Sequence, residues 1–257
     1  MTTMIWFCWA AVAVVFLLLW LRQVKTKTAT SVDAAWATSI ALIAVTYASA
    51  ANEQPLWLRV FVGVMAGAWG LRLAWFLYWH RVRKETTEDG RYAAMRAEWG
   101  EKAQVGFFVT YQVQAGLAVL FSLPAFGAIQ KGTATFAIPA LIVWLVSVIG
   151  EAISDEQLAK WRSNPENRGK TCRAGLWKYS RHPNYFFEWL HWWAYVLLAP
   201  TSVLTWIGPP LMLLFLFRLT GIPWTENQSL KSRGDDYRRY QKEVSVFVPW
   251  PPKEQTS

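Results

Sequence analysis

The chain has 257 residues, of which 54% are hydrophobic and 18 are Trp, and it carries a formal net charge of +9. Its apolar residues are gathered into uncharged runs as long as a bilayer is thick, which excludes an ordinary water-soluble domain. The basic excess is confined to the segments between those runs and is not interleaved with aromatics elsewhere, which argues against a nucleic-acid partner.

In chain order, the first run, Met4 to Leu21, holds 18 residues without a charge, and a helix of that length spans roughly 27 Å at about 1.5 Å per residue. Its basic residues Arg22, Lys25 and Lys27 follow the run, the reverse of a cleavable secretory signal, so it is expected to stay in the protein. Further spans are expected over 34–51, 56–79, 107–128, 134–154, 185–199 and 202–220. The prediction is an all-α polytopic membrane protein of about seven transmembrane helices. It is read as one transmembrane domain over 1–257.

Lys and Arg accumulate in loops that remain cytoplasmic. With the N-terminus outside and the C-terminus cytoplasmic, segments 22–33, 80–106, 155–184 and 221–257 face the cytoplasm and hold 22 of the 26 Lys and Arg. Arg59, Arg72 and Arg218 fall within spans, and Lys131 is left in an outer loop. The expected setting is a bacterial inner membrane. Cys8 in a span and Cys172 in a cytoplasmic loop are not expected to pair.

An ionisable side chain at membrane depth is by default a functional-site candidate. At the end of the fifth span Glu151, Asp155 and Arg162 return to one helical face, with Ser154 and Gln157 nearby. At the start of the sixth, Pro183 suits the first turn, and Asn184 and Glu188 stand one turn apart. The approach Arg181-His182 to that helix start is a candidate site for a phosphate or carboxylate. The tail from Glu226 to Tyr240 reads by itself as a solvated amphipathic helix. Three histidines, His80, His182 and His191, do not supply the boxes of a di-iron desaturase, and neither a Gly-x-Gly-x-x-Gly nor a Walker loop is present. No metal site is expected, and no protein partner is identifiable.

Asp155-x-Gln157, Gly175-Leu-Trp-Lys-Tyr-Ser-Arg-His-Pro-Asn-Tyr-x-x-Glu188, Trp193-x-x-x-Leu197 and Asp236-Tyr-x-x-Tyr240 to Phe247-Val-Pro249 together resemble the bacterial branch of the steroid 5α-reductase-like membrane proteins. The likeness runs over about 60–250, is family-like chiefly in 151–250, and is most specific in 151–188. It implies NADPH in a cavity open to the cytoplasm. It also implies reduction of a carbon–carbon double bond conjugated to a carbonyl in a steroid-like or other lipid substrate, a hydrophobic small molecule reached from the membrane. Carried over by position, it makes Glu151, Asp155, Arg162, Tyr179, Asn184 and Glu188 cofactor contacts. Arg181 and His182 join them from their place at the helix start, with Arg72 and the tail as weaker additions. At the substrate end Glu53-Gln-Pro55 matches a Glu-x-Pro feature of the animal enzymes, but their Tyr aligns with Trp69. Glu53, Tyr111 and Gln112 are therefore the candidate donors to a substrate carbonyl, with Gln114 beside them.

Two other readings stay open. Isoprenylcysteine carboxyl methyltransferases also carry Arg-His-Pro-x-Tyr at a helix start and a tail with Glu, Tyr-x-x-Tyr and Pro, which would imply S-adenosylmethionine. The third reading is a transporter or scaffold, against which no matching pair of Gly/Pro-broken spans is present.

Overall fold

A computed structural model describes residues 2–83, 88–219 and 221–253. The expected features of segments 84–87 and 254–257 and the last residue of the 202–220 span lie outside the described residues. Every regular element described is helical, and the described residues form two compact units, Met1–Gly132 and Thr133–Ser257.

The first unit holds α1 (Thr2–Thr26), α2 (Val32–Ala50), α3 (Leu56–Leu77, continued by a π turn Tyr78–Val82), α4 (Gly90–Trp99) and α5 (Ala103–Lys131). Helices are the natural outcome of these apolar runs, because in lipid the backbone must satisfy its own hydrogen bonds within the segment. α2 and α3 approach closely at Gly70, where a Cβ would lie 2.8 Å from the Ala37 carbonyl oxygen and 2.9 Å from the Ala41 methyl. Small residues at that crossing let two backbones meet, as packing between membrane helices requires.

The segment 80–106, expected to be a loop, contains α4, and α4 is tied to the α1–α2 connection. Arg96 makes two hydrogen bonds of 2.7 and 2.8 Å to the Glu88 carboxylate, which also accepts from the Ala29 N–H at 2.9 Å. Arg91 and the Tyr92 hydroxyl both donate to Asp33 at 2.6 Å. The contacts to Asp33 and Ala29 come from outside the segment, a term that hydropathy does not register.

The second unit holds α6 (Ala137–Ser163), α7 (Pro183–Leu198), α8 (Gly208–Leu214, continued by a π turn Phe215–Leu219), α9 (Ile222–Arg233) and α10 (Asp235–Glu243). Among the described residues of the whole chain, six helices are long and apolar enough to cross a membrane. The expected sixth span, over 185–199, is not among them: it is α7, whose 16 residues amount to roughly 24 Å against a hydrocarbon core of about 30 Å. α7 begins at Pro183, as expected from the missing N–H, and ends just before Pro200.

The tail departs from the solvated helix expected of it. Tyr237, Tyr240 and Val244 are buried together with Leu230 packed against them. The Tyr237 and Tyr240 rings lie on one face of α10, while Asp235 and Arg238 stay exposed on another. Alternating charge marks only that outer face, which is why the sequence alone hid the inner one.

Candidate functional site

The polar residues of the second unit meet where the lower half of α6 faces the start of α7. Glu151 and Asp155, one turn apart on α6, are buried at 2% and 7% exposure, and Ser154 between them is fully buried. Asn184, in the first turn of α7, donates its amide to Asp155 at 3.2 Å. Glu188 is half-buried one turn further along α7, and Arg162 is exposed on α6 about 16 Å beyond Glu151 at 1.5 Å per residue. Four of the predicted site residues, Glu151, Asp155, Asn184 and Glu188, therefore lie on facing parts of two packed helices. Arg162 extends the row toward the exposed end of α6.

The connection from Thr171 to His182 is pinned to α6 on one side. Gly175 has φ of +57°, a left-handed conformation open to glycine, and a Cβ there would run into the Gln157 amide. That same amide oxygen accepts the Leu176 N–H at 2.9 Å, and the Trp177 indole donates to the Ser154 carbonyl at 2.9 Å. On the other side the connection holds the tail. Tyr240 donates to the carbonyls of Trp177 and Ser180, the Ser180 hydroxyl donates to the Phe247 carbonyl at 2.7 Å, and the Trp250 N–H donates to the Tyr179 carbonyl at 2.9 Å.

Glu226, at the start of the tail, was expected only as part of a solvated helix, with the tail a weaker addition to the cofactor contacts. Its carboxylate receives Arg181 Nε at 2.7 Å and Gln241 Nε2 at 2.9 Å, with His182 Nε2 and the Tyr237 hydroxyl each at 3.4 Å. The Arg181 Nη1 donates to the carbonyls of Gln241 and Val244. Three donor contacts of Arg181 thus close on the protein itself and fix the tail against the entry to α7. His182 is buried, and burial lowers its pKa below the ordinary histidine value, against the opposing pull of Glu226. Its ring stacks on Tyr185 with centroids 5.4 Å apart. The only sequence signal for this cluster was the opposite charge of Arg181-His182 and Glu226, and no local spacing joins them.

Asp236 forms the second clasp of the tail. Burial acts to raise its pKa, but the Thr171 N–H at 2.7 Å and Arg173 at 2.8 Å hold its carboxyl at about 2. Cys172, beside it, is buried and free, and burial pushes its thiol up against the opposing charges of Arg162 and Arg233. It is a packed thiol rather than a reactive one. Tyr179 is 40% exposed, its ring facing the Lys178 ammonium at 6.0 Å.

The remaining candidates lie in the first unit. Arg72 is half-buried on α3. Tyr111 is fully buried on α5, edge-on to Phe16, and its hydroxyl has no hydrogen-bond partner among the described residues. Gln112, next along the helix, donates to the Ala13 carbonyl at 3.4 Å. Glu53 is exposed in the turn between α2 and α3. Tyr47, near the C-terminal end of α2, meets Ser122 on α5, which is 11 residues or about 16 Å along that helix from Tyr111. Glu53 follows Tyr47 in the chain, in the turn after α2.

An all-helical membrane protein with a buried carboxylate and amide cluster between two short-range helix neighbours is the class this architecture defines. The chain belongs to the family described as "Protein of unknown function (DUF1295)", whose model matches residues 19–244. No curated protein and no solved structure matches the chain.

Proposed function

We propose that the protein is a membrane-embedded, NADPH-dependent reductase of a carbon–carbon double bond conjugated to a carbonyl, acting on a steroid-like or other lipid substrate in a bacterial inner membrane. The observation that carries this reading is the Asp155–Asn184 hydrogen bond beside buried Glu151, with Glu188 one turn away. The general relation of the family to steroid 5α-reductase-like membrane proteins, and the motifs quoted above, agree with it.

The residues fit the cofactor. Carboxylates at Glu151, Asp155 and Glu188 accept hydrogen bonds from hydroxyl and carboxamide groups, and Asn184 supplies both a donor and an acceptor. Arg162 offers a planar charged fork for phosphate, about 16 Å along α6 from Glu151, a separation suited to an extended dinucleotide. When bound, the cofactor supplies a hydride. The chain's part is to orient that ligand through α6 and α7, to hold its charged end at Arg162, and to cover the face of α6 at Ser154 and Gln157 with the Thr171–His182 connection, which the tail braces from its other side.

A second reading, a membrane S-adenosylmethionine-dependent methyltransferase of the isoprenylcysteine carboxyl methyltransferase type, draws support from the meeting of Arg181, His182 and Tyr237 on Glu226. Thermal unfolding in detergent separates the two. A ligand that binds only the folded protein stabilises it by about 2.7 kcal/mol at a hundredfold excess over its Kd. The expected result is a shift with NADPH, a smaller one with NADH and none with S-adenosylmethionine. Glu188→Gln should fold yet lose most of the NADPH shift, and Arg162→Ala should narrow the gap between the two nicotinamide cofactors. A shift with S-adenosylmethionine alone overturns the reductase reading.

A further inference from the structure

The first unit has a groove that the proposed chemistry does not use. α1, α2 and α3 border an open cleft of about 550 Å³ lined by Leu19 and Arg22 of α1, Ala34, Ala35 and Thr38 of α2, and a stretch of α3 from Leu71 to Val82 that includes Trp75 and Tyr78. From Leu71 to Val82 the wall runs 11 residue steps, roughly 16 Å at about 1.5 Å per residue, which is half of a hydrocarbon core about 30 Å thick. The cleft therefore has the depth of one leaflet. Its walls are almost entirely apolar, with small residues on α2 leaving the space.

One end of the cleft is cationic and aromatic. Arg22 lines it, donating to the Ser31 hydroxyl at 3.0 Å and having no carboxylate partner among the described residues. A smaller hollow of about 320 Å³ continues from Arg22 over Leu21, Lys25 and Thr26. Trp75 stacks on Trp79 at 5.3 Å, and the Arg83 guanidinium lies 4.0 Å over the Trp79 ring. Indoles and long basic side chains gathered at one depth are the signature of the head-group region. Among the described residues, Asp33, two positions after Ser31, is already engaged by Arg91 and Tyr92 at 2.6 Å and approached by Arg81 at 3.7 Å, and Glu88 is held by Arg96 at 2.7 Å.

We propose that this cleft is a binding site for a single anionic phospholipid, with an acyl chain seated between α2 and α3 and the phosphate on Arg22 and Lys25. The length of the groove matches an acyl chain in one leaflet, and the charge at its mouth matches an anionic head group. The site is independent of the reductase reading, since it needs neither cofactor nor substrate.

Native mass spectrometry of the full chain, released from detergent with phosphatidylglycerol or phosphatidylcholine, tests it, with melting temperature as a second readout. One retained phosphatidylglycerol is expected, in preference to phosphatidylcholine. Arg22→Gln and Lys25→Gln should each weaken it roughly fivefold, the contribution of one basic residue at an anionic surface. Ala35→Leu, which fills the groove without changing charge, should weaken it at least as much. Thr38→Leu serves the same purpose if Ala35→Leu does not fold, and the lipid-free melting temperatures identify such a failure. Equal retention of the two lipids overturns the proposal, as does full retention by both filled variants. A melting shift with inorganic phosphate equal to that with phosphatidylglycerol also overturns it, by showing an anion site without an acyl seat.

Discussion

Replacing Asp236 with Asn tests whether the tail is clasped to the α6–α7 connection or merely lies near it. In the native protein the carboxylate accepts the Thr171 N–H at 2.7 Å and Arg173 at 2.8 Å, and its side chain is about a quarter exposed. A pKa lowered from the ordinary 3.8 to about 2 corresponds, at about 1.4 kcal/mol per pH unit, to roughly 2.5 kcal/mol of stability, reduced to about 2 kcal/mol by partial exposure. Because the folded value lies below the unfolded one, this contribution is complete above about pH 4 and is lost as pH falls toward 2. Asp235 is the internal control, since it is 88% exposed and paired only with the 66% exposed Arg238 on its own helix. Such a surface pair contributes a few tenths of a kcal/mol. Urea unfolding in a mild detergent, followed by Trp fluorescence at pH 7 and pH 3, should show Asp236→Asn destabilised by about 2 kcal/mol at pH 7, with the gap to wild type shrinking at pH 3. Asp235→Asn should overlay wild type at both. Equal effects of the two substitutions, or an Asp236→Asn deficit that does not change between the two pH values, would refute the clasp.

Gly175→Ala should destabilise by at least about 1 kcal/mol, because it combines a left-handed backbone with a collision against Gln157. Pairing it with Gln157→Ala should recover part of the loss in melting temperature; no recovery would mean that the backbone alone sets the requirement. Asn184→Ala removes one neutral-donor hydrogen bond to Asp155 and should weaken NADPH binding more mildly than Glu188→Gln, by about 0.5–1.5 kcal/mol in a titration of the detergent-solubilised protein. For orientation, cysteines introduced near residue 131 should react with an impermeant thiol reagent from outside, and those near 168 only after permeabilisation. The reverse pattern would invert the assigned topology.

Hydropathy by itself determined that this chain is helical and membrane-spanning, and where most of its helices run. That is so because a backbone in lipid closes its hydrogen bonds inside each segment, so the necessary information lies within some twenty neighbouring residues. Pro183 likewise marked the start of α7 through its own missing N–H. The spacing of Glu151 and Asp155, and of Asn184 and Glu188, placed each pair on one face of its helix. Packing decided the rest. It set Asn184 against Asp155, 29 residues away, and Arg181 against Glu226, 45 residues away. It buried Tyr237 and Tyr240 in a tail whose charges read as solvated, and it tied α4 to Asp33 and Ala29 across a segment expected to be a loop. Each of these outcomes depends on which side chains from distant segments come within hydrogen-bond reach once helices pack, and a local pattern of hydropathy and charge carries no term for that distance.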